Sequence, residues 1–587
     1  MSWFRNLLLV FAVTTASSAS AQEAASTLHK LFDEEWETHL REIPFFATSV
    51  GRHDYDDKLP AMTKQDIERR TNNWQALLDR LEKIDWSSLD KTDQINFDLF
   101  RFVLEDRIAQ FRFKAYTMPL NADSGFHSDF AQLPFEMPFV TVRDYHNYIA
   151  RLRAFPLYVE QQIALMKEGL VIGMTVPKVV LQGIDASIRP HIVTDVTKSV
   201  FYQPLVKMPR TFTAADQHEL QDSGRQAIRD GVIRGYQAFL DFMLREYVPK
   251  ARTNIGASAL PDGRDYYAQR VRYFTTLDLS FQEIHQMGLD EVQRIRTEMN
   301  DIIRQVGFKG SFKDFLTFLR TDPQFYPKTA EELLMRAAYL AKKMDGKLPS
   351  LFKTLPRLPY GVAPVPAHLA PKYTAGRYVE PAFGSTEPGY YWVNTYDLPS
   401  RTLYTLEALT LHEAVPGHHL QNALARELQD VPNFRRFLYI SAFGEGWGLY
   451  SERLGLEAGF YQDPYSNFGR LTYEMWRACR LVVDTGIHAM GWTRDQTLDF
   501  LRANTALSLH EITTETDRYI SWPGQALSYK IGELKIRQLR KLAEEKLGAK
   551  FDIREFHDVI LQNGAVTLPV LEKQVRAYIA AASRHSR

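Results

Sequence analysis

Apolar residues recur along most of this chain at intervals of three and four, the spacing that lines one face of a helix. In "STLHKLFDEEWETHLREIP" (residues 26–44) the positions are Leu28, Leu31, Phe32, Trp36 and Leu40. "DIERRTNNWQALLDRLEKID" and "SFKDFLTFLR" carry the same pattern. Two helix starts are marked by S/T-x-x-E capping boxes, "SFQE" at Ser280 to Glu283 and "TAEE" at Thr329 to Glu332. Period-two alternation is rare. The best strand candidate is "YYWVNTY" (residues 390–396), aromatic and β-branched, and preceded by Pro388-Gly389. The pattern predicts a mainly α, globular protein with a small β element.

Five prolines fall in "LPRLPYGVAPVPAHLAPKY" (residues 355–373) and forbid helix there. A boundary is expected at that stretch, between a mostly helical half (residues 22–354) and a C-terminal half (residues 355–587), the two together forming one cleft-containing unit. The chain opens with Arg5, an apolar run over residues 7–13, and small residues ending Ala19-Ser20-Ala21. This is the layout of a secretory leader over residues 1–21, cleaved near Ala21. The run is shorter than the ~20 residues needed to span a bilayer, so an exported mature chain without membrane insertion is expected, in a bacterial periplasm.

Charge narrows the partners. Lysine plus arginine number 71 and aspartate plus glutamate 71, so no global field draws the chain to nucleic acid or to an anionic membrane. The single cysteine, Cys479, excludes an intrachain disulfide. It sits in the apolar helical pattern of "MWRACRLVV" and reads as a buried thiol.

The chemistry gathers in "LHEAVPGHHLQ" (residues 411–421). The upstream Leu403, Leu406, Leu409 and Leu411 put His412-Glu413 on a helix, near its middle. A catalytic zinc takes three N or O ligands at ~2.0–2.2 Å and keeps one position open. Two histidines four apart on a helix supply two of them, but Pro416 stands where the second would be. His418 is ~120° away on a regular helix, and His419 is ~10.5 Å farther along the axis. A widened turn of the π-bulge kind at Pro416-Gly417 would rephase the chain and return a histidine to the face of His412. Downstream, "SAFGEGWGLYSE" offers Glu445 among Gly444, Gly446 and Gly448, 27 residues after His418. That leaves room for a loop around "QDVPN" and a returning helix packed close by its glycines. Glu452, two turns beyond Glu445, suits a hydrogen bond behind the ligands.

"LTLHEAVPGHHLQ", "EGWGLYSE", "RACRLVVDTGIHAMGW" and "RYISWPGQALSYKIGELKI", with "IPFFATSVGRHDYDDKLP" near the N-terminus, resemble the bacterial family called domain of unknown function 885 over nearly the whole mature chain. That family is in turn similar to helical gluzincin-type zinc peptidases such as thimet oligopeptidase and carboxypeptidase Taq, and dipeptidyl peptidase three has a related helix with one extra residue between its histidines. The resemblance implies a large helical zincin-like architecture with the small β element beside the active-site helix. It implies Zn²⁺ held by His412, His418 and Glu445, with His419 the alternative second ligand, and Glu413 as general base. It implies an oxyanion donor among Tyr529, Tyr519 and His488, Tyr529 first. Arg480 and Arg518 are candidates to clamp a peptide carboxylate. Tyr391 lies in "GYYWVNT", a candidate edge strand for a short peptide substrate. Blander readings stand beside these: an i, i+4 pair of Asp484 with His488, core packing for both tyrosines, ion pairing for both arginines. The expected function is a zinc-dependent hydrolase of short peptides. Its alternatives are a hydrolase of another amide or ester, and a non-catalytic metal-binding protein.

Overall fold

The computed structural model describes residues 3–122, 124–367, 369–381, 383 and 386–584. Of the leader expected over residues 1–21, residues 1 and 2 and the side chains of residues 3–20 are not among those described. The fold is mainly helical with a small three-stranded sheet. No described helix is long and apolar enough to cross a membrane.

By their contacts the residues divide into two compact units, Met1–Ala251 with Asp430–Phe437, and Arg252–Gln429 with Leu438–Arg587. The division therefore falls at Ala251 rather than at the proline-rich stretch. A boundary needs few contacts across it, whereas β1 (Tyr360–Pro364), inside that stretch, is hydrogen-bonded into the sheet of the second unit.

In the first unit α1 (Trp3–Glu42) packs on α2 (Lys64–Leu81) and α3 (Lys91–Arg112). The periodic residues Leu28, Leu31, Phe32, Trp36 and Leu40 are all buried, as their spacing requires. The segment Asp430–Phe437 returns to this core from far along the chain. Phe434 lies 5.0 Å from Phe32 and 5.4 Å from Phe100, centroid to centroid. Arg435 Nη1 donates to Asn96 Oδ1 at 2.6 Å.

The second unit carries the motifs. Ser280 caps α4 (Phe281–Gln305) with a complete box: its Oγ accepts from the Glu283 N–H and Glu283 Oε2 accepts from the Ser280 N–H. At α5 (Ala330–Asp345) Thr329 Oγ1 accepts from the Glu332 N–H, but Glu332 Oε2 takes the N–H of Lys328, one residue early. The sheet runs β1, β3 (Gly389–Val393), β2 (Gly376–Val379), with β1 parallel and β2 antiparallel to β3. The strand bearing Tyr391 is thus central, not an edge. Both of its hydrogen-bonding sides are taken, and the Tyr391 side chain is buried.

Next come α6 (Leu406–Glu413), α7 (His418–Arg426), α8 (Ser441–Leu454), α9 (Pro464–Ala489), α10 (Leu509–Ser521) and α11 (Ser528–Leu547). Helix α9 runs along α4, and charge is buried where α11 meets them. Lys530, wholly buried, donates to Glu474 and Glu533 at 2.9 Å each and pairs with Glu291 at 2.8 Å. Three carboxylates around one ammonium offset the desolvation that would otherwise exclude it from a core. Cys479 on α9 is buried, and that burial raises its thiol pKa far out of the reactive range.

Helices α8 and α11 cross with almost no side-chain layer between them. A Cβ on Gly532 would stand 1.9 Å from the Ala442 carbonyl oxygen, and one on Gly446 would stand 2.6 Å from Gly532 Cα. Gly532→Ala is therefore expected to destabilise the protein by on the order of 3 kcal/mol through overpacking against backbone, seen as a lower Tm in calorimetry.

Candidate metal centre

Helix α6 stops at Glu413, so His412-Glu413 lies at its C-terminal end, not near its middle. The chain then turns through Ala414 to Gly417 and restarts as α7 at His418. This is a break between two helices, not the widened turn of one continuous helix. Pro416 has no N–H to continue the ladder. At Gly417 the chain presses on the end of α6: a Cβ there would lie 1.9 Å from the His412 carbonyl oxygen. The turn is tied down by the His419 N–H, which donates to Ala414 O at 3.1 Å, and by Trp447 Nε1, which donates to Pro416 O at 2.8 Å.

The break brings His418 back to His412. Their rings meet edge to face at 4.7 Å between centroids. Helix α8 delivers Glu445, whose Oε2 is 3.6 Å from His412 Nε2 and 3.4 Å from His418 Nε2. Ligand atoms ~2.1 Å from a tetrahedral ion stand ~3.4 Å apart, so the two spacings to Glu445 already fit a zinc-sized cation. The three ligand atoms lie within 4.8 Å of one another.

Behind them, His412 Nδ1 donates to Glu452 Oε1 at 2.7 Å, and Glu452 also pairs with Arg477 at 3.2 Å. That bond holds the Nδ1 proton, so that Nε2, once deprotonated, presents its lone pair toward Glu445 and His418. Helix α8 comes close enough for this because of Gly448, where a Cβ would stand 2.6 Å from the His412 ring. Tyr439 completes the support by donating to Glu445 Oε1 at 2.8 Å. Glu413 Oε2 accepts the backbone N–H of Tyr378 on β2 at 2.8 Å. Glu413, Glu445 and Glu452 thus bring three carboxylates to the cluster, and of these Glu452 pairs with the Arg477 guanidinium. With neutral imidazoles the cluster is short of positive charge. Burial would lower the pKa of His412, but hydrogen bonds to Glu445 and Glu452 outweigh it and raise the value to about 10. Burial would likewise raise Glu445, and the two histidines hold it well below the usual carboxylate range.

The other residues predicted from sequence are placed as follows. His419 turns to the sheet, with Nδ1 3.1 Å from the Tyr378 hydroxyl and its ring 4.5 Å from that of Tyr360; burial lowers its pKa to about 4. His488 has both nitrogens committed, Nδ1 accepting from the Ala257 N–H and Nε2 donating to Tyr519 O, and burial lowers its pKa to about 3. It does not pair with Asp484, which binds the Tyr267 hydroxyl and the Gly524 N–H. The Tyr519 hydroxyl accepts from Trp476 Nε1 and Arg480 Nε and is spent as a core acceptor. Arg480 also donates to Glu515, which Arg518 shares while donating to Gln525. Tyr391 is held in the interior near Thr410. Tyr529 differs: its ring lies 4.3 Å from the Arg480 guanidinium, and its hydroxyl has no hydrogen-bond partner among the described residues. Sequence reasoning missed Tyr439, Arg477 and Tyr378. Tyr439 precedes Glu445 by six residues in "YISAFGE", a spacing with no motif attached, and Tyr378 acts through its backbone, which side-chain identity does not encode.

His418→Ala is expected to abolish stoichiometric zinc binding and His419→Ala to retain it, by elemental analysis of the purified proteins. Metal must displace the proton that His412 carries near neutral pH in the ion-free protein. Apparent affinity therefore rises with pH, by up to roughly tenfold per unit for each proton released, as chelator competition at about pH 6 and about pH 8 would measure.

A family profile described as "Bacterial protein of unknown function (DUF885)" matches residues 44–575. Among solved structures the chain is similar to a candidate lipoprotein from Colwellia psychrerythraea, at 29% identity and a TM-score of 0.89, covering 95% of this chain and 100% of that one. It is also similar in fold to a candidate lipoprotein of unknown function from Shewanella oneidensis, at 17% identity and a TM-score of 0.71, covering 94% and 99%. No curated protein matches. With its helical architecture and more than half its length matched, the chain belongs to the bacterial protein family of unknown function DUF885.

Proposed function

We propose that the protein is a zinc-dependent hydrolase that cleaves short peptides. The observation that carries this reading is the convergence of His412 Nε2, His418 Nε2 and Glu445 Oε2, with Glu413 beside them but outside the ligand set. Two imidazoles and a carboxylate are the donor set of a catalytic zinc with an open position. When bound there, the cation supplies a Lewis acid that polarises a carbonyl and acidifies a water.

The chain's own groups supply the rest. Glu413 is anchored through Oε2 by the Tyr378 N–H, which leaves Oε1 to take a proton and return it to the leaving amine. The Tyr529 hydroxyl, with Arg480 stacked on its ring, is the candidate donor to a developing oxyanion. A base beside the ligands favours catalysis over simple metal retention, because retention needs no such group. The resemblance to gluzincin-type enzymes supports a peptide as the acyl donor. A leader-like N-terminus, and the description of two similar structures as candidate lipoproteins, support work outside the cytoplasm.

Glu413→Gln is expected to lower peptide turnover by roughly 10²- to 10⁴-fold with zinc content unchanged. Tyr529→Phe is expected to lower kcat by roughly 10²- to 10³-fold. Both are read on a pool of short peptides by mass spectrometry. Full zinc occupancy with no cleavage of any peptide would move the reading to a binding role.

A further inference from the structure

The arginines that the sequence offers for a substrate carboxylate are engaged elsewhere. Arg480 is buried, bonded to Tyr519 and Glu515, and Arg518 bonds Glu515 and Gln525. A different cation stands at the site. Arg377, the second residue of β2, is exposed and makes no ion pair with a carboxylate among the described residues. The next residue, Tyr378, is the one whose N–H holds Glu413.

Arg377 is opposite Trp392 across the ladder, so the two side chains share a face of the sheet. Its guanidinium lies 5.7 Å from the Tyr373 ring centroid, and Tyr373 is 6.0 Å from Trp392. This aromatic wall, with the Tyr373 hydroxyl in hydrogen-bonding reach, steadies the guanidinium, whose five N–H donors exceed that one contact. Tyr373, Glu413, Tyr529 and Arg518 all lie in its electrostatic reach. A guanidinium with donors to spare, in electrostatic reach of the proton acceptor and unpaired with any described carboxylate, is complementary to a substrate carboxylate.

We propose that Arg377 is the specificity-determining residue of this site, binding the free C-terminal carboxylate of a peptide. The enzyme then removes residues from the C-terminal end. This rests on the peptidase reading above and deepens it. The direction follows from spacing: an extended peptide advances ~3.3–3.6 Å per residue, and Arg377 adjoins the residue that anchors Glu413. A carboxylate held there lies one or two residues from the bond being cut, which sets the product as a single amino acid or a dipeptide.

The test uses the full chain and two N-acetylated peptides of identical sequence, one ending in a free carboxylate and one in a carboxamide. Binding is measured by calorimetry in the zinc-loaded Glu413→Gln protein with and without Arg377→Gln, and cleavage in the protein with Glu413 intact. The acid is expected to bind roughly 10- to 100-fold more tightly than the amide, the range of a hydrogen bond to a charged group. Arg377→Gln is expected to erase that preference while zinc content and binding of the amide stay the same. Equal binding of acid and amide, or a preference that survives Arg377→Gln, would overturn the proposal. Arg377-dependent binding of the acid without cleavage would sink the peptidase reading and leave the carboxylate site standing. Cleavage of both peptides at equal rates would do the reverse.

Discussion

The hydrogen bond from His412 Nδ1 to Glu452, 2.7 Å long and buried between α6 and α8, is the contact on which the rest of the centre depends. It orients the imidazole and assigns its tautomer. It also places a carboxylate where no solvent can stabilise it, so Glu452 needs His412 and Arg477 as much as they need it. Gly448 makes the approach possible, because any larger residue would occupy the space of the His412 ring. Geometry and charge are settled by the same few atoms.

From that bond the site builds outward in a fixed order. The turn at Pro416 and Gly417 brings His418 beside His412, Trp447 and the His419 N–H pin the turn, and Tyr439 anchors the carboxylate that both histidines face. The sheet contributes through its backbone: the Tyr378 N–H orients Glu413, and the same short strand carries Arg377 to the edge of the site. A three-stranded sheet is a small part of the fold, yet it supplies the element that a helix surface lacks, an N–H free to point sideways.

The charges buried around α4, α9 and α11 have a different character. Lys530 is enclosed by Glu291, Glu474 and Glu533, and Arg480 by Glu515, Tyr519 and two aromatic rings. Both cations are paired with buried carboxylates. The carboxylates about His412 and His418 are instead paired with imidazoles, whose nitrogens can also hold a metal ion, and this contrast sets the cluster apart from a purely structural network.

The sequence by itself determined the helical class, the burial of the 3–4 periodic residues, and the identity of the cluster residues His412, His418, Glu445 and Glu452, because periodicity and residue chemistry are local properties written at each position. It reached too far with Tyr519, His488, Arg480 and Arg518. Their types suit catalysis, but whether a hydroxyl or guanidinium is free depends on partners such as Glu515 and Trp476 on other segments. It placed the division at the prolines, where strand pairing in fact binds the chain together. It favoured a bulged helix at Pro416, where a broken one satisfies proline and brings Gly417 against the His412 carbonyl. Only the tertiary structure shows which ring stands beside Glu445, since one residue's difference in a sharp turn sends His418 to Glu445 and His419 to Tyr378. It alone revealed Arg377, because a guanidinium without a carboxylate partner is recognised only once its neighbours are known, and neighbours are set by folding.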